Sequence, residues 1–292
     1  MTTVTTRLLG GLGNQMFQYA AARALADRTG AELLLDVGEF ASYTLRRYEL
    51  DTLRVRARVL PAPAAKAAPG PLARKASALV QRLFPVRAQG QAVYREPAFH
   101  FDPGLLHQRP PVLLEGYWQS EKYFLDDAEA IRRDFTLAGE PDEANRALLQ
   151  RMQGTTAVSL HVRRGDYVSN PTAAAYHGTC SPAYYRDAVD HIAQRCGPLT
   201  LFVFSDDQDW VRANMPFAHP AVHVDCNPPD RGVWDMHLMK HCRHHVVANS
   251  SFSWWGAWLN PAPDKIVVAP RRWFTDPSKD TSDLVPAAWT RI

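Results

Sequence analysis

The chain has 292 residues, 46% hydrophobic and 22% charged, with a formal net charge of +3. That composition excludes a disordered chain, and so small a charge gives no reason to invoke a nucleic-acid partner, although a local basic site could still hold a phosphate. No apolar run reaches the roughly 18 residues of a membrane span, the N-terminus MTTVTTRLL lacks the order of a secretory leader, and four scattered cysteines fit reduced thiols in a cytosolic protein.

Val4 to Leu9 reads as a short apolar strand running into Gly10-Gly11-Leu12-Gly13. A helix is predicted from about Asn14 to Arg28, with Met16, Phe17, Ala20, Ala24 and Leu25 at helical spacing and Gly30 as its stop. Ala31 to Val37 reads as a second strand, and this opening favours a parallel α/β layer. Residues 61–92 are rich in Pro, Ala, Lys and Arg. They read as a solvated excursion with a short basic helix, or else as a segment facing membrane or acceptor. Val112 to Trp118 reads as a strand, and Asp126 to Phe135 as a helix with acids first and arginines later.

A more regular alternation starts after Gln153-Gly154. Strands are predicted at Thr156–Val162, Leu199–Phe204, Ala221–Val224, His245–Ala248 and Lys265–Ala269, with helices between. The clearest helix runs from Pro182 to Arg195, with Ser181 as N-cap and Tyr185, Ala188, Val189 and Ile192 on one face. This pattern predicts a doubly wound parallel sheet, which binds ligands beyond its strand C-terminal ends. A domain boundary is expected near residue 153, separating 1–152 from 153–292. No internal repeat is visible.

Four segments could carry chemistry. In His161-Val162-Arg163-Arg164-Gly165-Asp166-Tyr167 a buried strand ends in two arginines. Neighbours on a strand face opposite ways, so one arginine can enter a cleft while the other braces the loop or its acid. Arginine offers a planar, permanently charged fork to phosphate oxygens. A surface turn with its own salt bridge is the bland alternative. Gly10-Gly11-Leu12-Gly13-Asn14-Gln15 allows close backbone approach ahead of a helix N-terminus. It is neither a dinucleotide fingerprint, since Met16 stands in place of the third glycine, nor a P-loop.

Phe204-Ser205-Asp206-Asp207-Gln208-Asp209 admits three readings: a magnesium-binding acid pair of Asp207 and Asp209, helix capping by Asp206 with Asp207 and Asp209 in the first turn, or a carboxylate for a guanine N–H edge. In the last segment, Asn249-Ser250-Ser251 opens an aromatic helix whose N-terminus and hydroxyls suit a phosphate. Upstream, His237, His241, Cys242, His244 and His245 superficially resemble a metal cluster, but no second ligand pair stands at metal spacing.

Together, GGLGNQMFQYA at 10–20, HVRRGDY at 161–167, FSDD at 204–207 and NSSFSWWGAWL at 249–259 resemble the bacterial α-1,2-fucosyltransferases of glycosyltransferase family eleven. The resemblance implies a GT-B-like α/β fold of two Rossmann-like lobes with a donor cleft between them, an N-terminal acceptor-side lobe and a C-terminal GDP-sugar lobe. It implies an inverting, metal-free transfer of L-fucose from GDP-β-L-fucose to the 2-OH of a terminal galactoside. The acceptor would be a glycan or glycolipid; separately, the lack of an anchor in the sequence leads to the expectation of a cytoplasmic place of work, at the inner membrane face where acceptors are glycolipids. It assigns His161, Arg163, Arg164 and Asp166 to the nucleotide diphosphate. Asn249, Ser250 and Ser251 fall near the phosphates, and Gly11, Gly13 and Asn14 towards fucose and β-phosphate. Asp206 and Asp207 join the donor-binding set, and Arg163, Asp166 and Asn14 the catalytic one, with Asp166 the first candidate for a general base. No cofactor is expected beyond the donor itself. Another GDP-sugar transferase, or a non-catalytic sugar-nucleotide or glycan-binding protein, would carry the same lobes.

Overall fold

A computed structural model describes residues 2–41, 46–61 and 90–292 of the chain. The chain divides into two compact units, Met1–Thr136 and Leu137–Ile292. The division therefore falls earlier than the boundary expected near residue 153. The reason is the helix Glu143–Gln153. Its Met152 lies in the second unit's core with Phe202, Phe204 and Leu238. Residues 62–89 of the basic excursion expected at 61–92 lie outside the described residues.

The first unit holds a five-stranded, all-parallel sheet: β1 (Thr3–Arg7), β2 (Glu32–Asp36), β3 (Arg58–Leu60), β4 (Ala92–Arg95) and β5 (Val112–Glu115). Their spatial order is β3-β2-β1-β5-β4. Helix α1 (Leu12–Thr29) starts two residues before its expected position and closes on Gly30. Beyond the apolar positions at helical spacing, its first two-thirds are buried on nearly all sides, with Gln15 and Gln18 fully enclosed. Both amides are satisfied, which is what makes their burial tolerable. Gln18 accepts from the Leu9 N–H at 3.0 Å and donates to the Gly116 carbonyl at 3.1 Å. Gln15 donates to the Gly10 and Arg47 carbonyls and accepts from the Glu49 N–H. The strand expected over Val112–Trp118 stops at Glu115, because Trp118 takes a left-handed φ of 55°. Helix α2 (Ala128–Asp134) closes the unit.

In the second unit the helix Glu143–Gln153, α3, precedes a six-stranded sheet: β6 (Ala157–Val162), β7 (Thr200–Ser205), β8 (Ala221–Val224), β9 (His244–Val246), β10 (Val267–Ala269) and β11 (Thr290–Arg291). All its pairings are parallel, and the order is β11-β10-β9-β6-β7-β8. Every residue of the central strand β6 is buried, as a strand covered on both faces requires. Its two polar members are the exceptions to an apolar run. Ser159 is satisfied by the buried His245 ring at 2.8 Å; His161 belongs to the site below.

Helices α4 (Gly165–Ser169), α5 (Pro171–His177), α6 (Pro182–Cys196), α7 (Gln208–Asn214), α8 (Gly232–His241) and α9 (Ser251–Trp258) fill the crossovers. α6 has the expected architecture: Ser181 accepts from the Tyr184 N–H, Pro182 opens the helix, and Tyr185, Ala188, Val189 and Ile192 are buried. Two parallel α/β units fulfil the expected fold class. No helix among the described residues is long and apolar enough to cross a membrane, and all four cysteines are free thiols.

Candidate active site

The order of the second sheet locates its ligand crevice. From β6 the chain steps to β7 and β8 on one side, then to β9, β10 and β11 on the other. Loops leaving the C-terminal ends of β6 and β9 therefore diverge, and the gap between them is the switch point where such sheets bind ligands. Arg163 to Asp166 follow β6, and Val247 to Ser251 follow β9. The two strongest motifs thus meet at one place for a topological reason.

Arg163 lies against two carboxylates. Its Nη1 is 2.8 Å from Asp206 Oδ2, and its Nη2 donates to Asp166 Oδ1. The guanidinium also lies over the Tyr167 ring, 5.3 Å from its centroid. Burial by itself would lower the Arg163 pKa; the charges of Asp206 and Asp166 outweigh it and hold the pKa above its ordinary value. Arg164 faces the other way, as adjacent strand-end residues do. Its backbone N–H donates to Asp206 at 2.8 Å, its Nε to Asp207 at 3.0 Å, and its guanidinium stacks 3.6 Å from the Trp210 ring centroid. Asp166, the first candidate for a general base, is here in an ion pair that braces Arg163. Asp207 also caps α7 by accepting from the Trp210 N–H, while the exposed Asp209 pairs with Arg212 at 3.8 Å. The helix is capped as in the capping reading, but by Asp207 rather than the expected Asp206, which is held by Arg163 and the Arg164 N–H.

Glycine is required at 165 by close approach. A Cβ there would stand 2.3 Å from Asp206 Oδ2. The carboxylate that joins both arginines can reach them only because nothing projects from residue 165.

Asn249 was expected near the phosphates, in the donor-binding set. Its amide is instead fully occupied by protein: Nδ2 donates to the carbonyls of His177, Gly178 and Trp273 at 2.9, 3.3 and 3.2 Å, and Oδ1 accepts from the Cys180 thiol. It is 2% exposed. Its side chain therefore fixes the end of α5 against the sheet rather than facing a ligand. Ser250, also buried, and Ser251 stand at the start of α9, where Ser250 makes no side-chain cap.

His161 is buried against Phe252 of α9, with ring centroids 5.6 Å apart. Burial, with the Arg163 charge adding to it, lowers its pKa to about 3, so it is neutral at any working pH. Its Nδ1 has no hydrogen-bond partner among the described residues. Sequence reasoning missed a second histidine. His177 stacks on Tyr167 at 4.3 Å and 2°, and burial, with Arg163 and Lys279 adding and Asp166 opposing, lowers its pKa to about 4. The Tyr167 hydroxyl donates to the Asn249 carbonyl at 3.3 Å. Nothing in the sequence marks His177, because only the packing of α5 brings it to the motif. Trp210 carried a weak signal, an aromatic three residues after the cap.

Gly11, Gly13 and Asn14 lie in the first unit, at its own switch point. There β1 and β5 are neighbours while the chain departs from β1 to β2 on the far side. The Gly11 carbonyl accepts from the N–H groups of Asn14 and Gln15, and Asn14 Oδ1 accepts from Gln119 Nε2 at 2.8 Å. A Cβ on Gly11 would be 3.6 Å from Arg46 Nε, which adds Arg46 to the residues around this loop.

Among the described residues, no group of three His, Cys, Asp or Glu side chains stands where it could hold a metal ion. Of the histidines that superficially resembled a cluster, His237 and His241 lie one turn apart on α8, where the His241 ring bonds to the His237 carbonyl.

Each of the two parallel α/β units thus carries a motif at its switch point, a guanidinium fork in the second and a glycine loop in the first. The chain belongs to glycosyl transferase family 11, whose model matches residues 106–292, and is therefore a glycosyltransferase. It is 33% identical to the alpha-1,2-colitosyltransferase of Escherichia coli over 100% of this chain and 99% of the relative. It is 32% identical to the O-antigen biosynthesis glycosyltransferase WbnK of Escherichia coli, over 98% and 99%. With the galactoside alpha-(1,2)-fucosyltransferase 1 of Homo sapiens it shares 28% identity over 86% of this chain and 63% of that one.

Proposed function

We propose that the protein transfers a 6-deoxy-L-sugar, L-fucose, from GDP-β-L-fucose to the 2-OH of a terminal galactoside, inverting the anomeric centre to give an α-1,2 linkage. The observation that carries this reading is the Arg163 fork at the second unit's switch point, beside the α9 N-terminus and the unpartnered Nδ1 of neutral His161. Departure of GDP builds negative charge on a β-phosphate oxygen. A guanidinium already oriented by Asp206 meets that charge without reorganising, as do the first N–H groups of α9. The sugar centre gains oxocarbenium character and the acceptor oxygen attacks from the opposite face. In this reading the reaction needs no metal. Arg163 supplies the cation, and the Asp207 carboxylate is engaged by Arg164 and the Trp210 N–H. Asp166 braces Arg163 and the proton acceptor is another group.

A second reading is favoured by the colitosyl relative. Colitose is L-fucose without its 3-hydroxyl, so the same leaving group and inversion would serve. Assays pairing GDP-L-fucose, GDP-colitose and GDP-mannose with lactose and type-defined galactosides separate these readings, with and without EDTA. Transfer of fucose with EDTA present is the expected result. Preference for GDP-colitose would replace the donor. Loss of activity in EDTA would overturn the metal-free mechanism, and GDP binding without transfer to any galactoside would leave a sugar-nucleotide-binding protein. We further propose a cytoplasmic place of work on glycan or glycolipid acceptors.

A further inference from the structure

Two of the carbonyls held by Asn249 Nδ2, those of His177 and Gly178, belong to the C-terminal end of α5. Thr275, beyond β10, holds the pair before them. Its N–H donates to the Tyr176 carbonyl at 3.1 Å, and its hydroxyl lies against the Ala175 and Tyr176 carbonyls. The last carbonyls of a helix are its orphan acceptors, and here those of residues 175 to 178 are all tied to distant parts of the chain. The residue fixed at the centre of this anchoring is His177.

Its ring is fixed as well. It lies parallel to Tyr167 at 4.3 Å, edge-on to Tyr176 at 4.7 Å and tilted against Phe274 at 5.7 Å. Yet neither ring nitrogen makes a hydrogen bond among the described residues. Nδ1 is shut away from solvent, whereas Nε2, the other nitrogen, is not. An anchored imidazole left unsatisfied is a cost that packing alone does not explain. The charged groups that face it are Asp166 of α4, Arg163 at the end of β6 and Lys279, whose Nζ lies 4.6 Å over the Tyr176 ring. Burial lowers the His177 pKa, Asp166 opposes it and the two cations add to it, so that the ring titrates at about 4 and is neutral at working pH.

We infer that His177 is the proton acceptor of the transfer, taking the hydrogen of the acceptor hydroxyl on Nε2. The inference rests on the transferase reading above. As the acceptor oxygen bonds to the anomeric carbon, the bond from that carbon to the β-phosphate oxygen breaks and its electron pair leaves with GDP. The hydroxyl proton passes to Nε2, and the imidazolium forms beside Asp166, whose charge favours it. The tautomer required carries its own proton on Nδ1. A base of this strength matches an ordinary carboxylate, the usual proton acceptor of glycosyl chemistry. It suffices because the hydroxyl becomes strongly acidic as it bonds to an oxocarbenium carbon. Inversion sets nucleophile and leaving group on opposite faces of that carbon, so base and phosphate cation must stand apart. Arg163 and His177 do so: each contacts the Tyr167 ring, and no hydrogen bond joins them. Asn249 is a positioning residue: it acts on the proton only through the end of α5.

The test uses the full-length enzyme with GDP-L-fucose and lactose. His177→Phe keeps an aromatic ring against Tyr167, so a merely structural role survives it. The variant is expected to lose about 10²–10⁴-fold in kcat, with GDP affinity by calorimetric titration and the melting temperature unchanged. His177→Ala regains part of its lost turnover when free imidazole is added. Nitrogen-15 NMR of histidine-labelled wild type gives a readout that needs no turnover, with His177→Phe identifying the signal by its loss. Adding lactose to the GDP complex shifts the His177 Nε2 resonance. A kcat for His177→Phe within about threefold of wild type, or a His177 resonance indifferent to lactose, overturns the assignment and leaves the transferase reading standing. A wild type that transfers no sugar to any galactoside overturns both.

Discussion

Substituting Gly165 by Ala puts two opposing effects in competition, and their sizes decide the sign. Residue 165 opens α4, where alanine is the better helix former by about 0.5–1 kcal/mol. Against this, the new Cβ stands 2.3 Å from Asp206 Oδ2, so the carboxylate must move by about 1 Å to reach ordinary contact. Asp206 is not free to swing, since it holds Arg163 Nη1 and the Arg164 N–H, each at 2.8 Å. One lost contact is charged on both sides and the other is backbone to carboxylate. With these side chains 20% and 27% exposed, solvent screening reduces the pair to about 2–3 kcal/mol in all. The net loss is about 2 kcal/mol, or a fall of roughly 4–8 °C in the melting temperature of this unit. Because the displaced acid orients the Arg163 fork, GDP affinity falls by up to about thirtyfold. Scanning fluorimetry with and without GDP, together with calorimetric titration of GDP, reads both quantities. In an Asp206→Ala background the obstacle is gone, and Gly165→Ala then costs nothing further. A Gly165→Ala protein that melts higher than wild type and binds GDP normally would refute the claim that close approach dictates this glycine.

Arg163→Lys is expected to lose at least about a hundredfold in turnover with the protein still folded, because a point charge cannot hold two acids and a phosphate in a plane; near-normal turnover contradicts the fork. Three carboxylates lie against the two arginines and compete with a diphosphate for their charge, and Asp166 is the most exposed of the three at 40%. Asp166→Asn therefore tightens GDP binding while transfer persists. A general base would behave oppositely, losing about 10²–10⁴-fold in turnover with unchanged GDP affinity. His161 titrates near 3 in the folded protein against an ordinary 6.5. Between those values the unfolded chain holds the extra proton, so this contribution is complete above about pH 6.5 and is lost as pH falls towards 3. At pH 5 the loss is on the order of 2 kcal/mol. His161→Phe should lose less stability than wild type between pH 7.5 and 5, and parallel melting curves would show the assignment to be wrong.

The fold class was legible because its causes are local. Strand β6 is an almost unbroken apolar run, α6 announces itself with Ser181, Pro182 and a one-sided apolar face, and a strand–helix alternation with short connections admits only a parallel sheet. That Arg163, Arg164, Asp206 and Asp207 gather at strand ends was legible for a related reason. Each lies just past a strand end, and strand ends in such a sheet converge whatever the loop sequence.

Other assignments depended on partners distant in sequence. Whether Asn249 faces a ligand or the protein was decided by three backbone carbonyls, at 177, 178 and 273. The strand expected through Trp118 ended early because Glu96, twenty-two residues away, captures the Trp118 N–H. The boundary near 153 moved because Met152 is held in the second unit's core. The sequence alone therefore determined which segments are strands and helices and where charge collects at their ends, since propensity and periodicity act over a few residues. Only the tertiary structure decided which polar side chains remain for a ligand, because a hydrogen-bonding group buried beside a partner will take that partner first.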